Sequence, residues 1–271
     1  MNFMPVQPPA AQRAQGQLDL AFIQEGARTG LRRFYQQGCL KARLPRGLST
    51  EVVALNISGG IAGGDALQIE LVAEAGAAVT FTTQAAERIY RALDEPARVA
   101  TSLCVEPGAR LHYLPQETIL FDGFSLAREL EVELHGNAEF LGVESLIFGR
   151  LAMGEVIRAG NLRDRIALRR DGKLLWQDIT RLHGDIAAQL DRPGIAAGAR
   201  TVASIFAAGP GMVEKLPVLR AALAGTSAGA SWSGEVLLAR ILAPDSASLR
   251  AVVARALQAL RGAELPRVWQ G

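Results

Sequence analysis

The pattern of apolar and polar residues over the first half of the chain predicts short β-strands. Between residues 18 and about 150, alternating runs such as 67–72 (LQIELV) and 128–134 (RELEVEL) are separated by Gly, Pro and Asn. Alternation with a period of two places apolar side chains on one face of a strand and polar side chains on the other. Further strands are expected over residues 149–182, so this region should be built almost entirely from strands.

This region contains a weak internal repeat of three units, which is seen when Gly76, Gly108 and Gly136 are aligned with one another. Each glycine follows one predicted strand and precedes another, at intervals of about 30 residues, a period typical of repeat architectures. If the repeats stack as coils of a β-solenoid or as parallel layers, residues at one register form a column, here Gln84, Gln116 and Glu144. Chance similarity among hairpins is the alternative.

The last third of the chain has a different pattern. Residues 191–230 are rich in Ala and Gly, with a turn at 209–211 and a short helix predicted over 217–223. The clearest helical pattern covers 246–261, where Leu and Val recur at helical spacing and should pack on a sheet. The predicted fold is therefore mainly β, a β-solenoid or stacked-strand (β-helix-like) architecture with a small helical part near the C-terminus. We expect a disordered tail over 1–17 and one domain over 18–271.

Composition excludes several classes of protein. The chain has 271 residues, of which 49% are hydrophobic, and a net charge of +2 whose positive residues are scattered among acids. Nucleic-acid binding is therefore not expected. The N-terminal segment lacks the pattern of a signal peptide, and no apolar run is long enough for a membrane helix. Because Cys39 and Cys104 lie far apart in strand-like runs, we expect neither a disulfide framework nor a CxxC site, and we expect a cytoplasmic protein without membrane contact.

A glycine-rich loop between Asn56 and Asp65 is the most informative local feature. Two glycine pairs, Gly59–Gly60 and Gly63–Gly64, flank a short apolar step, and Asp65 is the charge that follows. Glycine allows a positive φ and close approach of another backbone or a ligand, so the loop should shape a site or a tight reversal. A phosphate-binding loop requires Lys and Ser or Thr after its last glycine, and the dinucleotide-binding spacing is also absent. A simple hairpin turn is the alternative.

Candidate catalytic and metal-binding motifs are weak. No two histidines have the spacing of metal ligands. The run 225–229 matches the GxSxG motif of α/β-hydrolases, but those enzymes have their catalytic histidine after the serine, and here all three histidines precede it. Isolated acids among apolar residues stand out instead, namely Asp65, Glu117, Glu144 and Glu155. Arginines occur in similar short motifs, so structural Arg–carboxylate pairs at strand corners are the alternative for each acid.

Taken in order, the motifs resemble those of the urease accessory protein UreD (also called UreH) family, over a match from about Leu20 to the C-terminus. They are, in chain order, 29–31 (TGL), 40–41 (LK), 59–65 (GGIAGGD), 82–91 (TTQAAERIYR), 114–121 (LPQETILF), 149–155 (GRLAMGE) and 266–269 (PRVW). Each motif alone is weak, and their common order makes the resemblance specific.

The resemblance implies a non-enzymatic scaffold for urease maturation with a mainly β fold. Such a protein joins the urease apoprotein to a helical partner, UreF, and through it to the GTPase UreG. The resemblance also implies that nickel released by the GTPase passes through an internal channel towards the urease active site. We accordingly expect transient Ni²⁺ and no tightly bound cofactor, and GTP hydrolysis belongs to the partner because the chain has no Walker motif.

A channel for Ni²⁺ requires ligands that bind weakly enough to release the ion. Imidazole and thiolate bind Ni²⁺ tightly, whereas carboxylate and amide oxygens bind it more weakly. The residues predicted to contact nickel in transit are Asp65, Gln84, Glu117, Glu144, Glu155 and Asp178, with Asp65 and Glu144 the first choices. Those predicted to be structural are Gly59, Gly60, Gly63, Gly64, Arg91 and Arg150.

Two other hypotheses stay open on the sequence. A β-solenoid hydrolase could use a carboxylate pair, Glu144 and Glu155, as acid and base, which requires a groove that holds both carboxyl groups. The chain could also be an interaction protein whose acids all form structural ion pairs.

Overall fold

The computed structural model describes residues 13–47, 49–150 and 153–270. Residues 151 and 152 of the motif 149–155, and residues 1–12 of the expected tail, lie outside the described residues. The strands are β1 (Gln15–Glu25), β2 (Arg28–Gly38), β3 (Leu40–Arg43), β4 (Thr50–Asn56), β5 (Ala66–Ala73), β6 (Ala78–Thr83), β7 (Glu87–Ile89), β8 (Ala97–Val105), β9 (Arg110–Leu114), β10 (Thr118–Leu120), β11 (Phe124–Leu134), β12 (Glu139–Phe148), β13 (Gly160–Arg170), β14 (Lys173–Gly184), β15 (Thr201–Ala208), β16 (Ala228–Ser233) and β17 (Val236–Ala243). β1 begins at Gln15, inside the segment expected to be a tail.

The helices of the described residues are α1 (Ile186–Leu190), α2 (Leu216–Leu223) and α3 (Ser246–Arg261), with 3₁₀ turns at Val213–Lys215 and Arg267–Trp269. Of these, α2 and α3 confirm the helices predicted over 217–223 and 246–261, and α1 has no counterpart in the prediction. The Asp245 carboxylate accepts a hydrogen bond from the Ser248 amide (2.8 Å) and caps the start of α3. Gly262 ends that helix with a φ of 64°. None of the helices in the described ranges has the length and apolar character needed to cross a bilayer.

The chain passes repeatedly from one sheet to the other, as the coils of a solenoid do. The seven-stranded sheet has the order β14-β13-β11-β8-β5-β1-β2, and the ten-stranded sheet contains the path β16-β17-β15-β12-β9-β6-β4-β3. Strands β5, β8, β11 and β13 pair in parallel, as do β4, β6, β9 and β12. Antiparallel pairs such as β1–β2 and β13–β14 close the stack at its ends. The predicted stacked-strand architecture is confirmed.

The three repeat glycines lie at equivalent corners of the stack. The predicted alignment of Gly76 with Gly108 is correct, but the alignment of Gly108 with Gly136 is wrong by one residue. Ala78 pairs with Arg110, as the alignment of Gly76 with Gly108 requires. Arg110 pairs with Glu139, and the Gly108 amide donates to Asn137 Oδ1 (2.8 Å), so Gly108 lies opposite Asn137 and not Gly136. A one-residue shift reverses the face to which a strand side chain points, so the predicted column through Glu144 cannot be regular.

Two apolar cores hold the fold together. The larger core lies between the sheets and includes Phe22, Phe81 and Phe140. The second lies between the outer face of the ten-stranded sheet and helices α2 and α3, around residues such as Leu219 and Leu257. The ten-stranded sheet is therefore covered on both faces, which accounts for the nearly continuous burial of β12.

Candidate functional site

A cavity of about 250 Å³ lies between the two sheets. Its exposed lining residues are Gly59, Gln84, Ala85, Arg88 and Glu129. The first four lie in the glycine-rich loop or in and just before β7, and they mark its opening. Its interior is lined by apolar residues such as Ile61, Leu67 and Leu130. The polar residues in its interior are Thr101, Tyr113, Gln116, Thr118, Arg128 and Glu144. The predicted column residues Gln84, Gln116 and Glu144 therefore reach one cavity, although the strand register does not align them.

The glycine-rich loop forms one wall of this opening and carries the chain from β4 in one sheet to β5 in the other. The Ile61 amide donates to the Arg88 carbonyl (2.7 Å), and the Tyr90 amide donates to the Ile61 carbonyl (2.8 Å), so the loop is attached to the segment around β7. A Cβ atom at Gly60 would collide with the ring of Tyr90, and one at Gly63 would lie 2.5 Å from the Glu95 carbonyl oxygen. These glycines are required because the two segments approach closely.

Asp65 stabilises this loop through hydrogen bonds to two backbone amides. Its carboxylate accepts hydrogen bonds from the backbone amides of Ala14 (2.7 Å) and Ala62 (2.8 Å), and the side chain is buried. Asp65 does not line the cavity. The carboxylate therefore joins the N-terminal strand to the glycine loop, and the predicted contact with nickel in transit has no support from its position.

A second carboxylate, Glu87, lines the cavity close to its opening. Asn56 Nδ2 donates to both oxygens of Glu87 (3.2 Å each), and the Arg88 amide donates to Oε1 (3.2 Å). Burial raises the pKa of Glu87, and the hydrogen bonds from Asn56 and Arg88 oppose the shift. The sequence analysis did not select this residue.

Three buried charged side chains meet at the inner end of the cavity. Arg128 donates from Nε and Nη2 to the two oxygens of Asp164 (2.9 and 2.7 Å) and from Nη1 to Glu144 Oε2 (2.6 Å). Arg128 Nη1 also donates to Thr118 Oγ1 (3.1 Å). The side chains of Arg128, Glu144 and Asp164 are 9%, 6% and 7% exposed. We refer to these three residues as the buried triad.

The buried triad holds two carboxylates against one guanidinium, so its charge is negative when both acids are ionised. Burial raises the pKa of Glu144 to about 7; Arg128 opposes the shift and Asp164 adds to it. Burial would lower the pKa of Arg128, but the two carboxylates outweigh burial and raise that pKa. Arg128 stays charged, and Glu144 is the acid that exchanges a proton near neutral pH.

Two further cavities continue beyond the buried triad. A small cavity of about 10 Å³ is lined by Arg128, Glu144 and Asp164 on one side and by Asp178 and Arg240 on the other. A third cavity of about 240 Å³ shares Asp178, Ser204 and Arg240 with the second and has Gly229 and Ser231 in its wall. Asp178 on β14 and Arg240 on β17 form an ion pair that bridges the two sheets.

Glu117 lies outside this row of cavities and attaches the C-terminal helix. Arg250 of α3 donates to the two oxygens of Glu117 (2.9 and 3.0 Å) and to Gln116 Oε1 (2.5 Å). Its guanidinium also lies over the ring of Trp269, 5.3 Å from the centroid. Glu117 therefore forms a structural ion pair, the alternative that the sequence analysis left open.

Glu155 also forms an ion pair away from the cavities. Its carboxylate accepts from Arg150 Nε (2.9 Å) and from the Arg150 amide (3.0 Å). Burial alone would raise the pKa of Glu155, but the hydrogen bonds from Arg150 lower it. The nearby Arg91 pairs with Asp122 (3.1 Å), so both predicted structural arginines hold loop carboxylates.

The hydrolase alternative has no geometric basis in the described residues. Glu144 lies in the buried triad, whereas Glu155 lies in a loop and lines neither cavity that Glu144 reaches. An acid and base pair must face one groove to act on one bond.

The sequence carries a signal for the buried triad that the motif search missed. In β11 the buried positions are Phe124, Leu126, Arg128, Leu130, Val132 and Leu134. In β13, Asp164 has the same phase as the buried residues Leu162 and Ile166. A charged residue on the apolar phase of a strand must have a partner in the core. Alternation therefore identifies Arg128 and Asp164 as buried charges, although it cannot show that they meet.

Comparisons with known proteins agree with the motif order. The sequence model of one family, described as "UreD urease accessory protein", matches residues 14–270. A protein named urease accessory protein UreD from Chelativorans sp. (strain BNC1) is 47% identical over 97% of this chain and 96% of its own length. A protein of the same name from Methylobacterium sp. (strain 4-46) is 44% identical over 97% of this chain and 96% of its own length. Another from Xanthobacter autotrophicus is 44% identical over 95% of this chain and 90% of its own length. The chain therefore belongs to the UreD urease accessory protein family.

Proposed function

We propose that this chain acts in urease maturation as a scaffold through which Ni²⁺ passes to the urease apoprotein. Membership of a urease accessory family supports the role in maturation. The observation that carries the nickel route is the row of three cavities between the sheets, in which neighbouring cavities share lining residues.

The row of cavities has an opening at each end. At one end, Gly59, Gln84 and Arg88 are exposed; at the other, Gly229, Ser231 and Arg240 are exposed. The buried triad and the Asp178–Arg240 pair occupy the narrow middle cavity. An ion that travels this route meets these side chains, and a small change in their rotamers sets the width of the passage.

The side chains along the route suit a cation that must be released. The carboxylates are Glu87, Glu129, Glu144, Asp164 and Asp178, and no cysteine or histidine lines the three cavities among the described residues. Oxygen ligands bind Ni²⁺ more weakly than thiolate or imidazole does, and conduction needs sites that the ion can leave. Arg128 and Arg240 offset part of the negative charge and so weaken binding further.

We assign the partners by resemblance to the family. The urease apoprotein receives the ion, a UreF-type helical protein binds this chain, and a UreG-type GTPase delivers nickel through that protein. An exposed apolar side chain close to the first opening, Ile57 (63% exposed), is suited to contact such a partner.

Urease activation in a strain that lacks this gene tests the proposal. The strain is complemented with the wild type, Glu144→Gln or Asp178→Asn, and each variant is checked for co-purification with apo-urease and the helical partner. Because both substitutions remove an anionic oxygen from the route, we expect assembled complexes that deliver at least about tenfold less nickel to urease.

Two control variants separate passage from stability. Glu117→Gln and Glu155→Gln each weaken an arginine ion pair outside the cavities. We expect both controls to activate urease whenever the complex assembles. Normal activation by Glu144→Gln and Asp178→Asn would reject the route and leave a scaffold that acts through its surface.

A further inference from the structure

A second group of metal-binding side chains lies at one corner of the solenoid, away from the cavities. Cys104 is the last but one residue of β8, Glu106 follows the last residue of β8, and His135 follows the last residue of β11. The two strands pair in parallel, with Val105 opposite Leu134. Val105 and Leu134 are buried between the sheets, so Cys104, Glu106 and His135 lie on the outer phase of their strands.

The three side chains are close enough to bind one ion. One ligand atom from each residue lies within 4.8 Å of the other two. Ligand atoms held at about 2.0–2.3 Å from a tetrahedral ion lie roughly 3.5 Å apart, so small side-chain rotations complete the site. Cys104 Sγ already lies 3.6 Å from Glu106 Oε1, as the donor of a hydrogen bond. All three side chains are partly exposed, which gives an ion access from solvent.

The surroundings of this group favour a cation. Asp171 Oδ1 lies 3.4 Å from His135 Nδ1, and ligating histidines commonly use their second ring nitrogen to donate to a carboxylate. Glu133 pairs with Cys104 across the strands. Among the residues that the structure describes, neither Glu106 nor Glu133 forms a salt bridge with an arginine or lysine. A divalent ion would balance these negative charges.

We propose that Cys104, Glu106 and His135 form a binding site for a divalent transition-metal ion such as Ni²⁺ or Zn²⁺, with Asp171 as a positioning residue for His135. A thiolate, an imidazole and a carboxylate select such ions over Mg²⁺ and Ca²⁺. Three protein ligands leave a position for water or for a ligand from a partner. Binding releases the Cys104 thiol proton to solvent. The site is separate from the proposed nickel route, which has no thiolate or imidazole in the described lining.

Protection of Cys104 from alkylation tests the site in the unmodified full-length chain. The protein reacts with iodoacetamide in the presence of NiCl₂, ZnCl₂ or MgCl₂, and peptide mass spectrometry reports each cysteine separately. Because a metal-bound thiolate is blocked, we expect NiCl₂ and ZnCl₂ to slow the alkylation of Cys104 by at least about tenfold. MgCl₂ should have no effect, and Cys39 is an internal control whose rate should stay unchanged. Equal rates at Cys104 with and without NiCl₂ would overturn the proposal.

Substitutions identify the other ligands by the same measurement. We expect His135→Ala and Glu106→Gln to abolish the protection of Cys104 and Asp171→Asn to weaken Ni²⁺ binding by about tenfold. His183→Ala, which removes an exposed histidine from β14, is the matched control and should retain full protection. Circular dichroism verifies that each variant is folded. Protection that survives His135→Ala and Glu106→Gln would contradict this ligand set. Success or failure here leaves the urease-activation test unaffected, because that test concerns different residues.

Discussion

At the scale of single residues, the buried triad is the most unusual feature of the protein. Removing charges from water is costly, and a buried ion pair recovers that cost only when its geometry and hydrogen bonds are good. Arg128 meets this condition with two bonds to Asp164, one to Glu144 and one to Thr118. Glu144 accepts one bond from the guanidinium, and burial outweighs this attraction and raises the pKa of Glu144.

The first prediction concerns the pH dependence of stability at Glu144. Its pKa is raised from 4.5 to about 7 in the folded protein. The stabilising contribution of this group is therefore fully present below pH 4.5 and is lost as the pH rises through about 7. We expect the free energy of unfolding of the wild type to fall by a few kcal/mol relative to Glu144→Gln over that interval, at about 1.4 kcal/mol per pKa unit.

Urea titrations of both proteins at several pH values measure this difference. A difference that stays constant between pH 4.5 and 8 would show that the pKa of Glu144 is not raised in the folded protein.

The second prediction concerns the structural role of Asp65, outside the proposed nickel route. Asp65→Ala leaves the amides of Ala14 and Ala62 without their acceptor, and a hydrogen bond to a charged group contributes about 1.5–3 kcal/mol. We expect a loss of that size in the free energy of unfolding, measured by urea titration. Asp94→Ala removes an exposed acid from a neighbouring loop and should change stability by less than about 0.5 kcal/mol. Wild-type stability in Asp65→Ala would contradict the structural role.

The sequence predicts individual site residues less well than it predicts strands. Gln84, Glu144 and Asp178 line the cavities, whereas Asp65, Glu117 and Glu155 bind backbone amides or arginines. All six are polar residues within apolar segments, so composition cannot distinguish them. Their roles depend on which element each one meets, and those contacts join residues far apart in the chain.

At the scale of elements, the C-terminal segment is held to the rest of the protein by Trp269. Its indole Nε1 donates to the Leu114 carbonyl (3.1 Å) and to Thr82 Oγ1 (3.3 Å), and the side chain is buried. Arg250 of α3 contacts the same ring and pairs with Glu117. One aromatic residue thus connects the last turn of the chain, α3 and the ends of β6 and β9.

The third prediction follows from that contact. Trp269→Ala leaves a large cavity and should lower the free energy of unfolding by about 3–5 kcal/mol. Trp269→Phe retains most of the packing and should lose only the contribution of the indole hydrogen bond, about 0.5–1.5 kcal/mol. Urea titration compares the two variants. Equal stability of Trp269→Ala and the wild type would show that the segment is not docked in solution.

Elements with strong local signals were predicted correctly, and register was not. Helix α3 has a complete amphipathic pattern, an N-terminal cap at Asp245 and a glycine at its end, so its bounds follow from local sequence. The pairing of Gly108 with Asn137 depends on how two distant corners pack. Gly136 and Asn137 are both common turn residues, so either could be the equivalent of Gly108. Aligning the glycines therefore cannot detect a shift of one residue.

At the scale of the whole molecule, the two sheets enclose the row of cavities proposed as the nickel route, and an exposed apolar side chain lies close to the first opening. Ile57 is 63% exposed and lies two residues before Gly59, which lines that opening. The fourth prediction is that Ile57→Asp lowers co-purification with the helical partner by at least about tenfold, because a charge would be buried in the interface. Val218→Asp changes an exposed apolar residue on α2 and should bind normally. Equal recovery of the partner by both variants would place the contact elsewhere.

The passage of nickel through the third cavity is the central claim, and blocking that cavity tests it most directly. Gly229 and Ser233 lie on the same face of β16, but only Gly229 lines the cavity, and a side chain added at Gly229 meets open space. The nickel content of urease is measured after maturation with Gly229→Trp or with Ser233→Trp, for complexes shown to be assembled. Our account predicts that Gly229→Trp leaves urease largely without nickel and that Ser233→Trp loads it fully. Full loading by assembled Gly229→Trp complexes would contradict a route through these cavities.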